Sequence, residues 1–467
     1  MRRLGETVAL ALVAFAAATV LPEAGWNATA HYALVESLAD GTPSIDGNVN
    51  QGGDIAWVDG HFYAAKAPGL AFASVPLYAA FATVDLVPEQ ESTDAGPPGA
   101  ESVIEEAIWE VNLVVVAAFF VLLLLIRNVA ERVAPRTGAP VALLLGLGTL
   151  LLPFATAYFS HVLSAMLGFA AFALLSSGQS PRSTASLVAA GGLAGLAVVV
   201  ELPLVIVAAA LGVYALLDRP RLRRGAAYAA GAIAGVTPLL AYHTWAFGAP
   251  WRTAYADAVL ELGETGHDVI GANDEGLFGL TGPRLDRLVE VLFSDLGLFV
   301  LTPVTAVALV GLLPLLRRGH RREAVLVASL TAAFLLYNAS YYLPLGGHVP
   351  GPRFLIPLLP FLALPLAAAL ARWPVVTLAA GSVSAFWMVA ATLGGALIPP
   401  EDSPTIWLSD IVHGENTAGT IVTGGNDLAL IAFAVPAAAA VCFVAVPRAR
   451  AYVGPRVAAT RQATESR

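Results

Sequence analysis

The chain has 467 residues, 57% of them hydrophobic and 13% charged, with a mean hydropathy of +0.72. That is far too apolar for a water-soluble globular protein, and it reads as an all-α polytopic membrane protein. The formal net charge of −9 argues against nucleic acid or an anionic lipid surface as the main partner, and a single cysteine, Cys442, leaves no internal disulfide and no cysteine-type metal site.

Apolar runs of about twenty residues read as membrane-spanning helices. About twelve are expected, near 6–22, 108–126, 139–157, 162–177, 184–200, 202–217, 226–246, 296–316, 324–343, 354–371, 375–396 and 428–446. Arg2 and Arg3 precede the first run, which is read as a retained anchor; a cleaved leader is the alternative, and either leaves Glu23 on the same side. Residues 30–39 have Tyr32, Val35, Leu38 and Ala39 at helical spacing, as in an amphipathic helix on the membrane surface.

Orientation follows from arginine, which collects on the cytoplasmic side. The basic connections Arg127–Arg136, Arg182, Asp218–Arg224, Arg317–Arg322 and Arg372, with the tail from Arg448, fall on one side if the amino terminus is there too. The connections 23–107, 158–161, Glu201, 247–295, 344–353 and 397–427 then face outward. This places a demand on the apolar stretch 69–87. No Arg or Lys stands between Lys66 and Arg127, so a full crossing there would put an acidic connection in the cytoplasm and invert everything downstream. Residues 69–87, bent at Pro76, are therefore expected to lie at or dip into the outer leaflet. Residues 88–103 are Pro-, Gly- and acid-rich and read as an exposed connector. One membrane domain, 1–446, precedes a basic tail, 447–467, in a cell membrane, with both termini cytoplasmic.

Chemistry concentrates in 41–76. This polar stretch holds Asp46, Asp54, Asp59, His61, Tyr63 and the only lysine of the chain, Lys66. A chain that otherwise uses arginine has kept one ammonium, a compact point charge suited to a single phosphate oxygen. An aspartate nearby can serve as general base, and a cation can neutralise a phosphate leaving group. Solvated loop charges are the plainer reading of each aspartate.

A second constellation is YYLPLGGHVPGPRFLIPLLPFL, 341–362. Arg353 is the only Arg, Lys, Asp or Glu between Glu323 and Arg372, with His348 five residues before it and Gly346, Gly347 and Gly351 permitting close approach. A snorkelling interfacial arginine is the alternative. Glu201 in a tight turn, Tyr158 and His161 at another, and Trp251, Tyr255 and 293–299 in the large outer loop are weaker signals. No HExxH, P-loop, GxSxG or dinucleotide fingerprint occurs.

The order of anchor, surface helix with His31–Tyr32, acidic loop, GHFYAAKAPGL, embedded helix and, late in the chain, GGHVPGPRFLIPLLPFL resembles the GT-C fold membrane glycosyltransferases. Within them it is most similar to the protein-mannosyltransferase and aminoarabinose-transferase group. That resemblance implies transfer of a sugar from a polyprenyl-phosphate carrier to a protein, lipid or glycan acceptor outside the membrane. The group's Y-x-x-K-P-P-L element falls on Tyr63, Lys66, Ala67, Pro68, Gly69 and Leu70, so Lys66 inherits a donor-phosphate role, shared with Arg353. The group's acid pair before the first surface helix is missing, since 26–32 reads WNATAHY. Asp54 or Asp46 is expected to replace it as base, with His31, His61, Tyr63, Glu201 and His348 lining the groove. Paired loop carboxylates could hold a divalent ion, although the resemblance suggests none. A transporter or flippase of lipid-linked saccharides, or a non-catalytic scaffold, would use a similar bundle; a transporter would need ionisable groups deep in several spans, which are scarce here.

Overall fold

The computed structural model describes residues 2–21, 23–47, 53–83, 100–176, 183–259, 279–414 and 430–445. The connector 88–99, residues 260–278 and the basic tail lie outside them.

From the amino terminus, α1 (Arg2–Ala18) and α2 (Trp26–Ala39) lead into strands β1 (Ile55–Val58) and β2 (His61–Ala64), then α3 (Gly69–Ala82). The bundle continues through α4 (Ala100–Val133), α5 (Gly138–Leu147), α6 (Leu151–Thr156), α7 (His161–Leu175), α8 (Thr184–Val200), α9 (Val205–Ala215) and α10 (Arg221–Phe247). Strand β3 (Ala258–Val259) follows, then α11 (Leu285–Phe293), α12 (Leu298–Leu301), α13 (Pro303–Val310), α14 (Leu312–Arg317) and α15 (Arg321–Ser340). A 3₁₀ segment, Arg353–Leu362, runs into α16 (Ala363–Arg372); α17 (Pro374–Leu393), α18 (Thr405–His413) and α19 (Leu430–Ala445) complete the described chain.

Among the described residues several basic connections are tied to neighbouring helix ends. Arg2 reaches Glu131 at 3.3 Å and Arg127 donates to the Thr7 hydroxyl at 2.8 Å, while the Trp109 indole donates to the Ala18 carbonyl at 2.8 Å, so α1 and α4 run antiparallel. Arg132 donates to the Ser176 carbonyl at 3.3 Å, and Arg322 meets Asp218 at 2.6 Å. At the opposite end the buried carboxylate of Glu23 accepts the backbone N–H groups of Ala396 and Leu397, and Val349 N–H donates to the Ile398 carbonyl at 3.1 Å. Burial holds the Glu23 carboxyl above its usual range, opposed by those two backbone donors. Helix α8 packs on α10 through glycines: a Cβ at Gly191 would strike the Tyr228 carbonyl, and one at Gly231 the Val188 carbonyl, so small residues set this close approach.

The expected count of about twelve spans is not confirmed. Among the described residues five helices are long and apolar enough to cross a bilayer, or six if one bent pair is a single span. Several expected spans are broken instead. The run 139–157 divides at Gly148–Leu150 into α5 and α6; the run 202–217 opens with a 3₁₀ turn carrying Pro203; and Leu285–Leu301 meets Pro303–Arg317 at 92°. Proline, lacking the N–H that would continue the ladder, accounts for the breaks at Pro203 and Pro303 and for the 3₁₀ form of 353–362, which contains Pro357 and Pro360; the break at Gly148–Leu150 itself holds no proline. Hydropathy registers an apolar run and is blind to a break within it. Helix α3, with Pro76 inside it, has 14 described residues, about 21 Å at 1.5 Å per residue, and packs against α2, α4 and α8.

Candidate functional site

The loop around Lys66 is not irregular, as the sequence reading assumed. Strands β1 and β2 form an antiparallel hairpin with Val58 opposite His61 and Ile55 opposite Ala64, and β3 adds to the other edge of β1, pairing Ile55 with Val259. The two turn residues, Asp59 (φ 51°) and Gly60 (φ 92°), both have positive φ, as the two-residue turn that matches strand twist requires. At the open end Asp54 also takes positive φ (60°); its carbonyl accepts the Ala65 N–H at 2.8 Å, and its carboxylate holds the Lys66 ammonium at 2.7 Å. The Lys66 side chain is only 12% exposed. Burial holds its pKa below that of an ordinary lysine, Asp54 opposes this, and the nearby Arg353 guanidinium lowers it further.

Three residues on, Gly69 starts α3 against the end of α8: a Cβ there would lie 2.6 Å from Val200 Cα. That contact brings Lys66 beside the break at Glu201. Glu201 is extended (φ −157°), and its carboxylate turns to the start of α7, where His161 Nδ1 lies 2.8 Å from Oε1 and the Ser164 hydroxyl donates to Oε2 at 2.6 Å. His31 of α2 approaches from the other side, its ring 6.1 Å edge-on to Tyr158, whose hydroxyl donates to Ser74 of α3 at 2.7 Å. Burial drives the His31 imidazole down to about 3, with the Lys66 charge acting in the same direction, so the ring is neutral; its Nδ1 has no hydrogen-bond partner.

Arg353 enters from the glycine-rich loop. Its N–H donates to the Leu345 carbonyl at 3.2 Å, closing the loop, and Gly346 (φ 103°) leaves room for the side chain: a Cβ at 346 would lie 2.6 Å from Arg353 Nε. The guanidinium carbon sits 5.7 Å from the Phe159 ring centroid and 5.1 Å from that of Phe354, and its Nε is buried without a hydrogen-bond partner. Among the described residues the Arg353 side chain forms no hydrogen bond or ion pair. Tyr255, Tyr337, Tyr341 and Tyr342 stand around this group, each within electrostatic reach of Asp54 or Arg353.

The fold therefore gathers Asp54, Lys66, Glu201, His31 and Arg353. It separates the others. Asp46 accepts the Phe62 N–H at 2.6 Å and His61 Nδ1 at 2.7 Å; although partial burial opposes it, these bonds hold its carboxyl below the usual range. Asp46 and His61 thus fasten the preceding loop to the hairpin. Tyr63, on the same strand face as His61, packs on Phe247 with ring centroids 5.0 Å apart and senses Asp46, Asp59 and Arg252 instead of Lys66. His348 is exposed, with no hydrogen bond or ion pair among the described residues. Tyr255 and the Tyr341–Tyr342 pair were within the stretches the sequence singles out; Tyr337 and the pairing of His161 with Glu201, 40 positions apart, were not, and no local pattern reveals them. The Asp59–Gly60 dipeptide between β-prone runs was a legible hairpin signal. Among the described residues no group of three or more His, Cys, Asp or Glu could hold a metal ion.

A solved structure of ArnT from Cupriavidus metallidurans has a similar fold. The form bound to undecaprenyl phosphate is 16% identical and covers 94% of this chain and 75% of its own, with a TM-score of 0.50; the apo form is 15% identical and covers 94% and 74%, with a TM-score of 0.49. No protein-family model and no curated protein matches the sequence.

Proposed function

From a GT-C-like, multi-pass membrane fold shared with ArnT, we propose that the chain is an integral-membrane glycosyltransferase. It moves a sugar from a polyprenyl-phosphate donor to an acceptor at the hairpin end of the bundle. That end is the extracytoplasmic one if arginine marks the cytoplasm. The observation that carries this reading is the pair of converging cations. Lys66 is balanced by Asp54, whereas Arg353 lies beside it against two phenyl rings with no anionic partner among the described residues. Two partly buried cations with one carboxylate favour an anion. A unit pair about 4 Å apart at an effective dielectric near 20 is worth roughly 4 kcal/mol before desolvation. The carrier phosphate supplies that anion, and ArnT, the structural neighbour, has been solved with undecaprenyl phosphate bound.

In this reading Lys66 and Arg353 receive the charge that develops on the phosphate as it leaves the sugar. Asp54 orients the Lys66 ammonium. The ionisable groups collect at one end of the bundle instead of along a path through it, which favours an enzyme over a flippase. The test is binding of undecaprenyl phosphate by the purified protein in nanodiscs, together with turnover of radiolabelled undecaprenyl-phosphate sugars. Wild type should bind, and Lys66→Ala and Arg353→Ala should each weaken binding at least about tenfold. Equal affinity in all three proteins would remove the donor site.

A further inference from the structure

We infer that His161, oriented by Glu201, is the general base of the transfer, and that Asp54 is not; the inference rests on the donor reading above. The reaction needs a group to take the acceptor hydroxyl proton. The loop aspartates are occupied, since Asp54 is held by Lys66 at 2.7 Å, and Asp46 binds Phe62 N–H and His61 on the far side of the hairpin.

His161, Ser164 and Glu201 form a different arrangement. They are 4%, 0% and 6% exposed, and both Glu201 oxygens are engaged, Oε1 by His161 Nδ1 at 2.8 Å and Oε2 by the Ser164 hydroxyl at 2.6 Å. A carboxylate beside Nδ1 keeps the ring proton on that nitrogen and leaves a lone pair on Nε2. Among the described residues Nε2 has no hydrogen-bond partner. The serine keeps the carboxylate from rotating away. A nucleophile's base held in turn by a third group is the general logic of such sites.

The imidazole also stands where the chemistry would be. It stacks on Phe159 at 6.0 Å and meets Phe354 edge-on at 6.1 Å, the two rings that flank the Arg353 guanidinium. His31, which senses the Lys66 charge, senses His161 as well, and Tyr255 senses both Asp54 and Glu201. In the transfer step the acceptor hydroxyl gives its proton to Nε2 while its oxygen lone pair forms the new bond to the anomeric carbon of the sugar. The bond from that carbon to the phosphate oxygen breaks, its electron pair leaves with the polyprenyl phosphate, and Lys66 and Arg353 hold that charge. Glu201 balances the imidazolium, which then returns its proton to water.

The experiment uses the full-length protein in nanodiscs with undecaprenyl phosphate as binding probe and a radiolabelled undecaprenyl-phosphate sugar as donor, water serving as acceptor. His161→Gln should bind undecaprenyl phosphate within about twofold of wild type while donor hydrolysis falls about 10²–10⁴-fold. His161→Ala should recover at least about tenfold of its lost rate in added imidazole, and Glu201→Gln should not. His161→Gln turning over donor within about threefold of wild type, or a loss in His161→Ala that imidazole leaves untouched, overturns the assignment and leaves the donor reading standing. Failure of wild type to bind undecaprenyl phosphate, or to hydrolyse the donor, takes down the donor reading and this assignment together.

Discussion

Asp54 closes the open end of the β-hairpin twice, its carbonyl accepting the Ala65 N–H at 2.8 Å and its carboxylate pairing with the Lys66 ammonium at 2.7 Å. The lysine that the sequence singles out is therefore a member of a pair, held in a slot where only 12% of its side chain is exposed. An arginine in that slot has a longer, planar head and would swing its fork onto Asp54. Lys66→Arg should retain less than about a tenth of wild-type donor turnover, a loss of at least roughly 1.4 kcal/mol in transition-state stabilisation, close to the loss in Lys66→Ala. Wild-type activity in Lys66→Arg would reduce Lys66 to an interfacial charge. Asp54→Asn should keep undecaprenyl phosphate affinity or improve it, with a smaller loss of turnover than His161→Gln.

Gly346 and Gly347 make a matched pair. Both have positive φ, 103° and 94°, so a side chain strains the backbone at either, by about 1 kcal/mol. Only at Gly346 would the new Cβ strike Arg353, 2.6 Å from Nε; at Gly347 it meets nothing within 4 Å. The two alanine variants should lose similar thermal stability, yet Gly346→Ala alone should weaken undecaprenyl phosphate binding at least about tenfold. Equal binding losses would detach Arg353 from the phosphate.

The buried His31 sets an acid limit on stability. Its folded-state pKa, about 3, lies below the ordinary 6.5, so the unfolded chain binds the extra proton between those values. The contribution is fully present above pH 6.5 and is lost as pH falls towards 3, with a limiting slope of about 1.4 kcal/mol per pH unit. Thermal midpoints measured in detergent at several pH values across that window should fall less steeply for His31→Gln than for wild type. Parallel curves would show that His31 does not stay neutral in the folded state.

Sidedness can be read with single cysteines. In a Cys442→Ala background, Glu401→Cys, on the connection after α17, should react with an impermeant thiol reagent on intact cells. Arg318→Cys, on the basic connection before α15, should react only after permeabilisation; both positions are exposed. The reverse pattern would place the hairpin end in the cytoplasm.

What the sequence made legible was whatever a single residue or a long run can carry. The apolar runs announce the membrane bundle, the arginines mark one end of it, and Lys66 and Arg353 stand out by rarity and by their glycine and proline neighbours. Spans interrupted at Gly148–Leu150 or bent at Pro303 average out in hydropathy, so their breaks were invisible. The Asp59–Gly60 turn was readable, but a polar stretch beside a membrane invites the word loop. Asp46 looked equivalent to Asp54 because both flank the hairpin in sequence; which side of the hairpin each carboxylate serves is decided by strand pairing and by the left-handed residue at 54. The His161–Glu201 bond depends on how α7 meets the broken start of α9, a matter of tertiary packing alone.

The third strand has a consequence for how the protein is made. Ala258–Val259 completes a sheet whose other two strands were synthesised some two hundred residues earlier, and Arg353 follows later still. Asp54 and Lys66, paired at 2.7 Å in the complete fold, carry no net charge between them and both precede Arg353 in the chain. Only when the 3₁₀ segment is threaded into the bundle does the pair acquire a neighbouring cation and become attractive to a phosphate. On the proposed donor reading, a copy that has not yet added Arg353 is expected to hold the carrier phosphate less well than the complete chain.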